Sequence, residues 1–295
     1  GKERIAGVIS ISSIILPMAM GLALSVLLYD RYAGPGEGDG VAALPFGLFI
    51  GSAMSITAFP VLARILVDRG MYRTAIGSLV LACAAVDDIL AWALLAVVLA
   101  VVKTGTFLSW DFPRILGLSI VFAAFMFGVV RPLLARLVPA YERLGRLTPN
   151  LASVVLIGFL LSSFVTAEIG IHHIIGAFVF GAVMPREGAH GLTLEILEKL
   201  EQVSVLLLLP VFFVTTGLNV DIGALDAAAL GTLVLVLAVA IAGKFVGATT
   251  AARLQGIGAR RAAAIGTLMN TRGLTELIVL TVGRENGVLD DTLFT

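Results

Sequence analysis

Two adjacent carboxylates, Asp87 and Asp88, lie in the stretch ACAAVDDILAW (82–92), which is otherwise almost wholly apolar. An ionisable side chain at the centre of a bilayer costs about 2.5–3.5 kcal/mol to insert. Two carboxylates that share one site also oppose simultaneous ionisation, so one of them should bind a proton more tightly than usual. We therefore interpret the pair as a device for exchanging protons.

A lysine, Lys244, lies a little past the centre of another apolar stretch, so the three charged groups can meet at similar depth. Adjacent residues on a helix point about 100° apart, which prevents Asp87 and Asp88 from making the same contact. We expect one carboxylate to pair with Lys244 and the other to face a water-filled cavity. A fixed salt bridge that only holds helices together is the alternative, but it needs one acid and the sequence supplies two.

Polar residues interrupt two further apolar stretches. In GSAMSITAFPVLARIL (51–66), Ser55 and Thr57 precede Pro60, which removes a backbone hydrogen-bond donor from a helix. In lipid, freed backbone groups are tolerated only where they line a cavity or find other partners. Paired interruptions of this kind indicate the binding site of an inverted-repeat transporter. The second one falls in GTLMNTRGLTELIVL (266–280), at Asn270, Thr271, Arg272 and Gly273.

The second interruption also carries two opposite charges, Arg272 and Glu276. They are four positions apart and share a helix face, so they can pair with each other. Alternatively, Arg272 compensates the exposed carbonyls and the dipole end at the break. In both cases Arg272 lies inside a predicted helix, where it needs a partner.

The composition places these residues in a membrane protein. The 295 residues are 59% hydrophobic and 14% charged, with a mean hydropathy of +1.04, whereas soluble domains are about 25% charged. A net charge of zero argues against a nucleic-acid partner. No nucleophile triad, metal motif or phosphate-binding loop stands out, so we expect neither an enzyme nor a cofactor.

Spanning helices of about 20 apolar residues predict an all-α polytopic membrane protein. Basic residues are concentrated in alternate connections, which are predicted to be cytoplasmic. Because the chain begins GKERIAG and ends just after a polar loop, we expect a fragment of a longer protein. About nine spans are predicted, at 5–29, 43–66, 74–102, 113–136, 150–168, 171–185, 203–218, 228–252 and 262–283.

Six segments together resemble the monovalent cation:proton antiporter-2 family, which includes bacterial potassium/proton antiporters and plant cation/proton exchangers. The resemblance implies a fold of about 12–14 helices with inverted repeats and two crossed broken helices, of which this chain would hold about nine. The segments are SITAFPVLARIL, LVLACAAVDDILAW, GIHHIIGAFVFGAVMP, VFFVTTGLNV, IAGKFVG and MNTRGLTELIVL.

The resemblance also implies roles for the buried charges. Asp88 matches the acid that binds the cation or the proton, and Asp87 matches an acid that varies among relatives and pairs with Lys244. An Asp–Asp pair with this lysine resembles electrogenic exchangers. Thr57 and backbone carbonyls at the crossing are further candidate ligands, since oxygen suits a hard cation such as Na⁺ or K⁺. The metal at Asp88 would be a transient monovalent cation.

The family pattern predicts how the chain divides. Residues 113–149 would form a linking helix and a cytoplasmic loop, and residues 150–225 the helices of a dimerisation domain. Residues 1–112 and 226–295 would be the two halves of a core transport bundle, the second incomplete at its C-terminus. We expect a homodimer in a lipid bilayer, located in a bacterial cytoplasmic membrane.

The function predicted from these observations is secondary active transport that exchanges Na⁺ or K⁺ for H⁺, electrogenically, by competition at the Asp pair. A sodium-coupled symporter of an organic anion is the alternative within the same fold. An ion channel and a non-transporting structural subunit are alternatives from other classes. Burying five charged residues makes a purely structural role expensive.

Overall fold

The computed structural model describes residues 2–33, 41–104, 110–186 and 188–295, and it is all-α: no strand occurs in these ranges. Seven helices among the described residues are long and apolar enough to cross a membrane. The chain is therefore an integral, multi-pass membrane protein, as its composition predicts. The positions at which the helices begin and end determine where the polar groups lie.

Among the first four helices, the second and third are separated by one sharp interruption. Ile56 and Ala58 have extended backbone conformations, which end one helix before the next begins. Pro60 falls in the first turn of that next helix, where its missing N–H is not needed by the hydrogen-bond ladder. These helices are α1 (Lys2–Tyr32), α2 (Ala43–Ser55), α3 (Phe59–Asp68) and α4 (Ala75–Thr104).

The middle of the chain forms seven helices, two pairs of which are joined by π-helical turns at Met126–Val130 and Ser204–Leu208. Thr148 begins the longest of them, because its side chain accepts the N–H of Leu151 as an N-cap. The seven are α5 (Asp111–Phe125), α6 (Arg131–Ala135), α7 (Leu137–Leu144), α8 (Pro149–Ile169), α9 (His173–Val183), α10 (His190–Val203) and α11 (Leu209–Leu218).

The last part of the chain contains a second interrupted pair of helices. Asp226 caps the long helix before it by accepting the N–H of Ala229 at 2.6 Å. After a 3-10 turn at Ile222–Ala224, the helices are α12 (Ala227–Leu254), α13 (Ala259–Met269), α14 (Leu274–Glu285) and α15 (Asp291–Phe294).

The predicted count of nine spans is not matched one for one. The sixth predicted span is a shorter helix of 11 residues, His173–Val183. The ninth is divided into α13 and α14, of 11 and 12 residues, because the backbone leaves the helix at Asn270–Gly273. The seventh is longer than predicted, since helix continues from His190 through a π-helical turn to Leu218 and includes the polar, amphipathic stretch before it.

The chain separates into two units, Gly1–Thr106 with Val220–Thr295, and Phe107–Asn219. In the first unit α1 packs against α2, α4 and α12. One of its buried clusters brings together Ile9, Leu62, Val80, Ala248 and Ile265 from five helices. The second unit has its own cluster, which includes Phe122, Leu151, Phe180 and Leu192. The assignment of transport and dimerisation to these units stays a prediction.

Glycines let α1 approach its neighbours closely. A Cβ added to Gly247 of α12 would lie 2.6 Å from the carbonyl oxygen of Ser12 in α1. A Cβ added to Gly51 of α2 would lie 2.8 Å from the carbonyl oxygen of Met18. Backbone cannot move aside as a flexible side chain can, so these positions require glycine. Small residues serve the same purpose in other membrane helix pairs.

We expect Gly247→Ala to lower the melting temperature of the protein in detergent, at a cost of about 1–3 kcal/mol, because the added methyl overpacks the α1–α12 contact. Gly231→Ala is the matched control in the same helix, since no described atom lies within 4 Å of its Cβ position. Alanine favours helix over glycine by about 1 kcal/mol, so the control should melt at the same temperature or slightly higher. Equal melting temperatures for the two variants would contradict this packing.

Candidate functional site

The two helix breaks meet in the first unit. Residues 56–58 run extended between α2 and α3, and residues 270–273 leave the helix between α13 and α14. The backbone N–H of Ala58 donates to the carbonyl of Thr271 at 2.9 Å. The hydroxyl of Thr57 lies 3.3 Å from the carbonyl oxygen of Met269, at the end of α13. The sequence-predicted crossing of broken helices therefore exists, and backbone groups freed at one break bond to the other.

Asp87 and Lys244 form an ion pair beside this crossing. The Nζ of Lys244 lies 3.2 Å from Oδ2 of Asp87, and both side chains are completely buried. Lys244 comes from α12 and Asp87 from α4, so the pair joins two helices that are far apart in sequence. A second bond, from Nζ to the carbonyl oxygen of Ser55 at 2.5 Å, places the ammonium at the C-terminal end of α2, where cations are stabilised by the helix dipole.

Three hydroxyl groups also donate to the Asp87 carboxylate. Thr57 contributes one from the first break, at 2.7 Å from Oδ2. Ser13 of α1 lies 3.0 Å from the same oxygen, and Ser10, one turn earlier, donates to Oδ1. With Lys244, the carboxylate has four donors, about as many as it has lone-pair positions. Asp87 is therefore held as a fully hydrogen-bonded acid.

The neighbouring carboxylate, Asp88, has a different environment. It accepts the backbone N–H of Phe59, at the start of α3, so it faces the positive end of a half-helix. Its other oxygen, Oδ1, is buried and accepts no hydrogen bond within the described part of the chain. Side chains at adjacent helix positions point in different directions, which explains why only Asp87 reaches Lys244.

Arg272 makes both of the contacts considered for it. Its guanidinium pairs with Glu276, four residues later in α14. It also donates to the carbonyl oxygen of Met54 at 3.1 Å, near the end of α2, and lies 3.4 Å from that of Ala240 in α12. A carbonyl freed by the first break is thereby satisfied by a charge from the second, as backbone in lipid requires.

The remaining predicted residues lie along the two breaks. A Cβ on Gly273 would lie 2.6 Å from Cγ2 of Val61 in α3, so the absence of a side chain lets the two breaks approach. Thr271 supplies the carbonyl that bonds to Ala58. Asn270 ends α13, and its Oδ1 is buried without a hydrogen-bond partner among the described residues. Two buried acceptor oxygens, on Asp88 and Asn270, therefore belong to elements that adjoin the crossing.

Sequence reasoning missed Ser10 and Ser13. Nothing in their local sequence pattern marks them.

 The segment that contains them reads ISISSIILP from Ile9 to Pro17, and its hydroxyls look like ordinary small residues of a spanning helix. The signal that was available is spacing: positions three apart share a helix face. Only the structure shows that this face meets Asp87.

Comparison with known proteins agrees with this architecture. The family profile described as "Sodium/hydrogen exchanger, transmembrane" matches residues 2–295. The chain is 41% identical over 295 residues to the Na(+)/H(+) antiporter NhaS4 of Synechocystis sp., covering 100% of this chain and 70% of that protein. It is 39% identical over 298 residues to Cation/H(+) antiporter 15 of Arabidopsis thaliana, covering 100% of this chain and 34% of that protein.

A fungal relative is more distant. The chain is 32% identical over 293 residues to the K(+)/H(+) antiporter 1 of Saccharomyces cerevisiae, covering 97% of this chain and 33% of that protein. This chain thus spans about a third of the plant and yeast relatives and a larger share of the Synechocystis protein. These relatives are named as transporters and not as enzymes.

We expect Lys244→Ala to destabilise the protein by about 3–5 kcal/mol, because it leaves the Asp87 carboxylate buried without its counter-charge. Asp87→Asn should also be destabilising, while the double variant should cost less than the sum of the two single changes. The measurement is the melting temperature of the four proteins in detergent, treated as a double-mutant cycle. Additive effects would mean that the two charges are not coupled.

The exposed pair Arg31–Asp226 is the matched control for this cycle. Its atoms lie 3.0 Å apart, but the two side chains are 45% and 65% exposed. Exposed ion pairs contribute about 0–1 kcal/mol, so Arg31→Ala and Asp226→Asn should be nearly additive. The N–H of Ala229 and the Arg31 guanidinium hold the pKa of Asp226 below its usual value, so the control pair is charged at neutral pH.

Proposed function

Since the chain belongs to the sodium/hydrogen exchanger transmembrane family, we propose that it exchanges a monovalent cation, Na⁺ or K⁺, for protons across a membrane. The observation that carries the proposal is the contrast between the two adjacent acids. Asp87 is fully hydrogen-bonded by Lys244 and three hydroxyls. Asp88 keeps one buried oxygen without a described partner.

Asp88 is the residue at which cation and proton compete in this proposal. A bare carboxylate oxygen in a buried position is stabilised by any positive partner, whether a metal ion or a proton. Alkali cations prefer oxygen ligands, and the crossing offers carbonyls, the hydroxyl of Thr57 and the buried Oδ1 of Asn270 nearby. Because one carboxylate cannot hold both, binding of one ion releases the other.

The Asp87–Lys244 pair is the second proton site in this mechanism. Lys244 is the only described ammonium at the crossing, and a neutral lysine or a protonated Asp87 would each break the ion pair. Two protons moved against one cation transfer one net charge per cycle. One elementary charge is worth about 2.3 kcal/mol per 100 mV, so a membrane potential would drive the exchange.

Either Na⁺ or K⁺ fits the proposal, since the relatives' names include antiporters of both ions. The chain would act in a bacterial cytoplasmic membrane as a homodimer. The unit that contains the crossing would be the transport core, and the unit Phe107–Asn219 would supply the dimerisation helices.

A sodium-coupled symporter of an organic anion is less well supported. Such a transporter needs a broken-helix N-terminus to hold the carboxylate of its substrate. Here the first N–H of α3 already bonds to Asp88, a carboxylate of the protein itself. An external anion would meet that negative charge at the same position, which favours a cation as the substrate.

Asp88→Asn should abolish cation-driven proton flux in proteoliposomes while leaving the melting temperature close to that of the wild type. The amide has the same shape as the acid but carries no full charge and releases no proton. Asp68→Asn is the matched control, because Asp68 is an exposed acid in α3 that pairs with Arg64. Flux in the Asp88 variant equal to that of the control would refute the assignment of the site.

We expect a transient current when liposomes that contain the wild-type protein receive a jump in Na⁺ or K⁺ concentration on a solid-supported membrane. The current should be lost or strongly reduced in Asp87→Asn, because the second proton site is removed. A pH-sensitive dye in the same liposomes reports whether exchange continues. Wild-type exchange without any current would show that the cycle is electroneutral.

A further inference from the structure

Four arginines of the second unit form an exposed patch, which we call the arginine patch. Within the described part of the chain, none of the four guanidinium groups has a hydrogen-bond acceptor or an acidic partner. One acid, Glu142, lies among them in the sequence, so the segment is strongly positive. The members of the patch are Arg131, Arg136, Arg143 and Arg146.

The helical segment that carries the first three of these arginines is too long to lie wholly inside a bilayer. It runs from Asp111 to Leu144 and has 34 residues, which is about 50 Å at 1.5 Å per residue. The hydrocarbon core of a bilayer is about 30 Å thick. Residues 115–130 contain no charged side chain and suit the core. The part that begins at Arg131 therefore extends to the level of the lipid headgroups.

This outer part turns its apolar face to the protein. Leu134 is buried, and Leu137 and Tyr141 pack against the same apolar cluster. Arg136 and Arg143 are seven positions apart, so their side chains leave the helix in nearly the same direction, about 10 Å apart along its axis. Both are exposed. The packing thus leaves the arginines free to meet a partner from outside the protein.

Exposed apolar side chains lie directly before the patch on the same helical segment. The exposed fractions of Phe125, Phe127 and Val129 are 53%, 49% and 44%. Within the hydrocarbon core, such a surface suits lipid tails. A segment that is apolar inside the core and basic at the headgroup level matches a phospholipid in both parts, because the tails and the phosphate follow each other in the same order.

The connection that carries Arg146 is held in place by α10. The N–H of Leu147 donates to Oε2 of Glu195 at 2.8 Å, and the carbonyl of Leu147 accepts from Nζ of Lys199 at 3.2 Å. Glu195 and Lys199 also pair with each other at 3.3 Å. The Glu195 carboxylate therefore has partners already and does not neutralise the arginine patch.

We propose that the arginine patch binds the headgroups of anionic phospholipids. Guanidinium groups bind phosphate oxygens through paired hydrogen bonds. A cluster of at least four basic residues just cytoplasmic of a membrane helix is typical of such a site, and this connection is among those predicted to be cytoplasmic. Zwitterionic phospholipids carry a compensating ammonium, so the patch favours lipids with a net negative charge. This binding does not depend on the exchange function proposed above.

The first test measures the melting temperature of the protein in uncharged detergent as phosphatidylglycerol or phosphatidylcholine is added. A ligand that binds the folded state raises the melting temperature in a saturable way. Phosphatidylglycerol should do so and phosphatidylcholine should not. In the double variant Arg136→Gln/Arg143→Gln, the half-saturating concentration of phosphatidylglycerol should rise about 25-fold, at about fivefold for each arginine. Without lipid, this variant should melt like the wild type, since both side chains are exposed and unpaired.

The double variant Arg64→Gln/Arg253→Gln is the matched control, because it removes the same net charge from arginines that have acceptors in the protein. Arg64 pairs with Asp68, and Arg253 donates to the carbonyl of Ile257. Its half-saturating concentration should stay within about twofold of the wild type, because the patch is intact. If the control loses as much affinity as the patch variant, the lipid responds only to overall charge and the proposal is wrong.

The second test compares the association of spin-labelled phosphatidylglycerol and phosphatidylcholine with the protein in liposomes by electron paramagnetic resonance. The wild type should prefer phosphatidylglycerol, and the glutamine patch variant should lose most of this preference. Salt at about 1 M should also reduce it in the wild type, because the Debye length falls to about 3 Å. A wild type without preference, or a patch variant that keeps the full preference, would overturn the proposal. Neither test measures ion flux, so its failure is distinct from a failure of the exchange function.

Discussion

The structure of the first unit depends on one constraint: a lysine that is completely buried in an apolar protein interior must have its charge balanced. Lys244 meets this need through Asp87 and the carbonyl of Ser55. Those partners come from α4 and from the end of α2, so neutralising one charge fixes three helices relative to one another. Replacing such a pair by apolar residues is often neutral or stabilising. Its presence therefore needs a reason other than stability, and the exchange proposed above would supply one.

The breaks in the helices follow from the same need for compensation. An uninterrupted α2–α3 helix would use the Ser55 carbonyl and the Phe59 N–H within its own ladder. Because residues 56–58 are extended, these groups are free to bond to Lys244 and Asp88. The second break supplies partners for backbone groups that the first break leaves without helical hydrogen bonds. Arg272 donates to the Met54 carbonyl, and the Thr271 carbonyl accepts the N–H of Ala58. Either break by itself would leave unpaired backbone groups in lipid, which is costly, whereas together the two breaks give these groups hydrogen-bond partners.

Much of this arrangement could be predicted from the sequence, because charge and proline are conspicuous in an apolar chain. Asp87, Asp88, Lys244 and Arg272 stand out by residue type alone, and the positions of both breaks could be seen in SITAFP and MNTRG. The boundaries of helices were harder to predict. Hydropathy cannot distinguish one long helix from two half-helices, and it assigned too short a span where helix runs from His190 to Leu218.

The serine contacts could not be predicted, because they depend on which face of α1 meets α4. Serine is common in membrane helices that pack closely, so its type carries little information. Gly51 and Gly247 allow α2 and α12 to approach α1, and α1 also packs against α4, where Ser10 and Ser13 reach Asp87. Long-range packing therefore decides which of two chemically identical acids is surrounded by donors. The difference between Asp87 and Asp88 comes from their helix faces, since adjacent side chains point about 100° apart. One sequence dipeptide thus provides a fully hydrogen-bonded acid beside an acid that has a buried oxygen without a described partner.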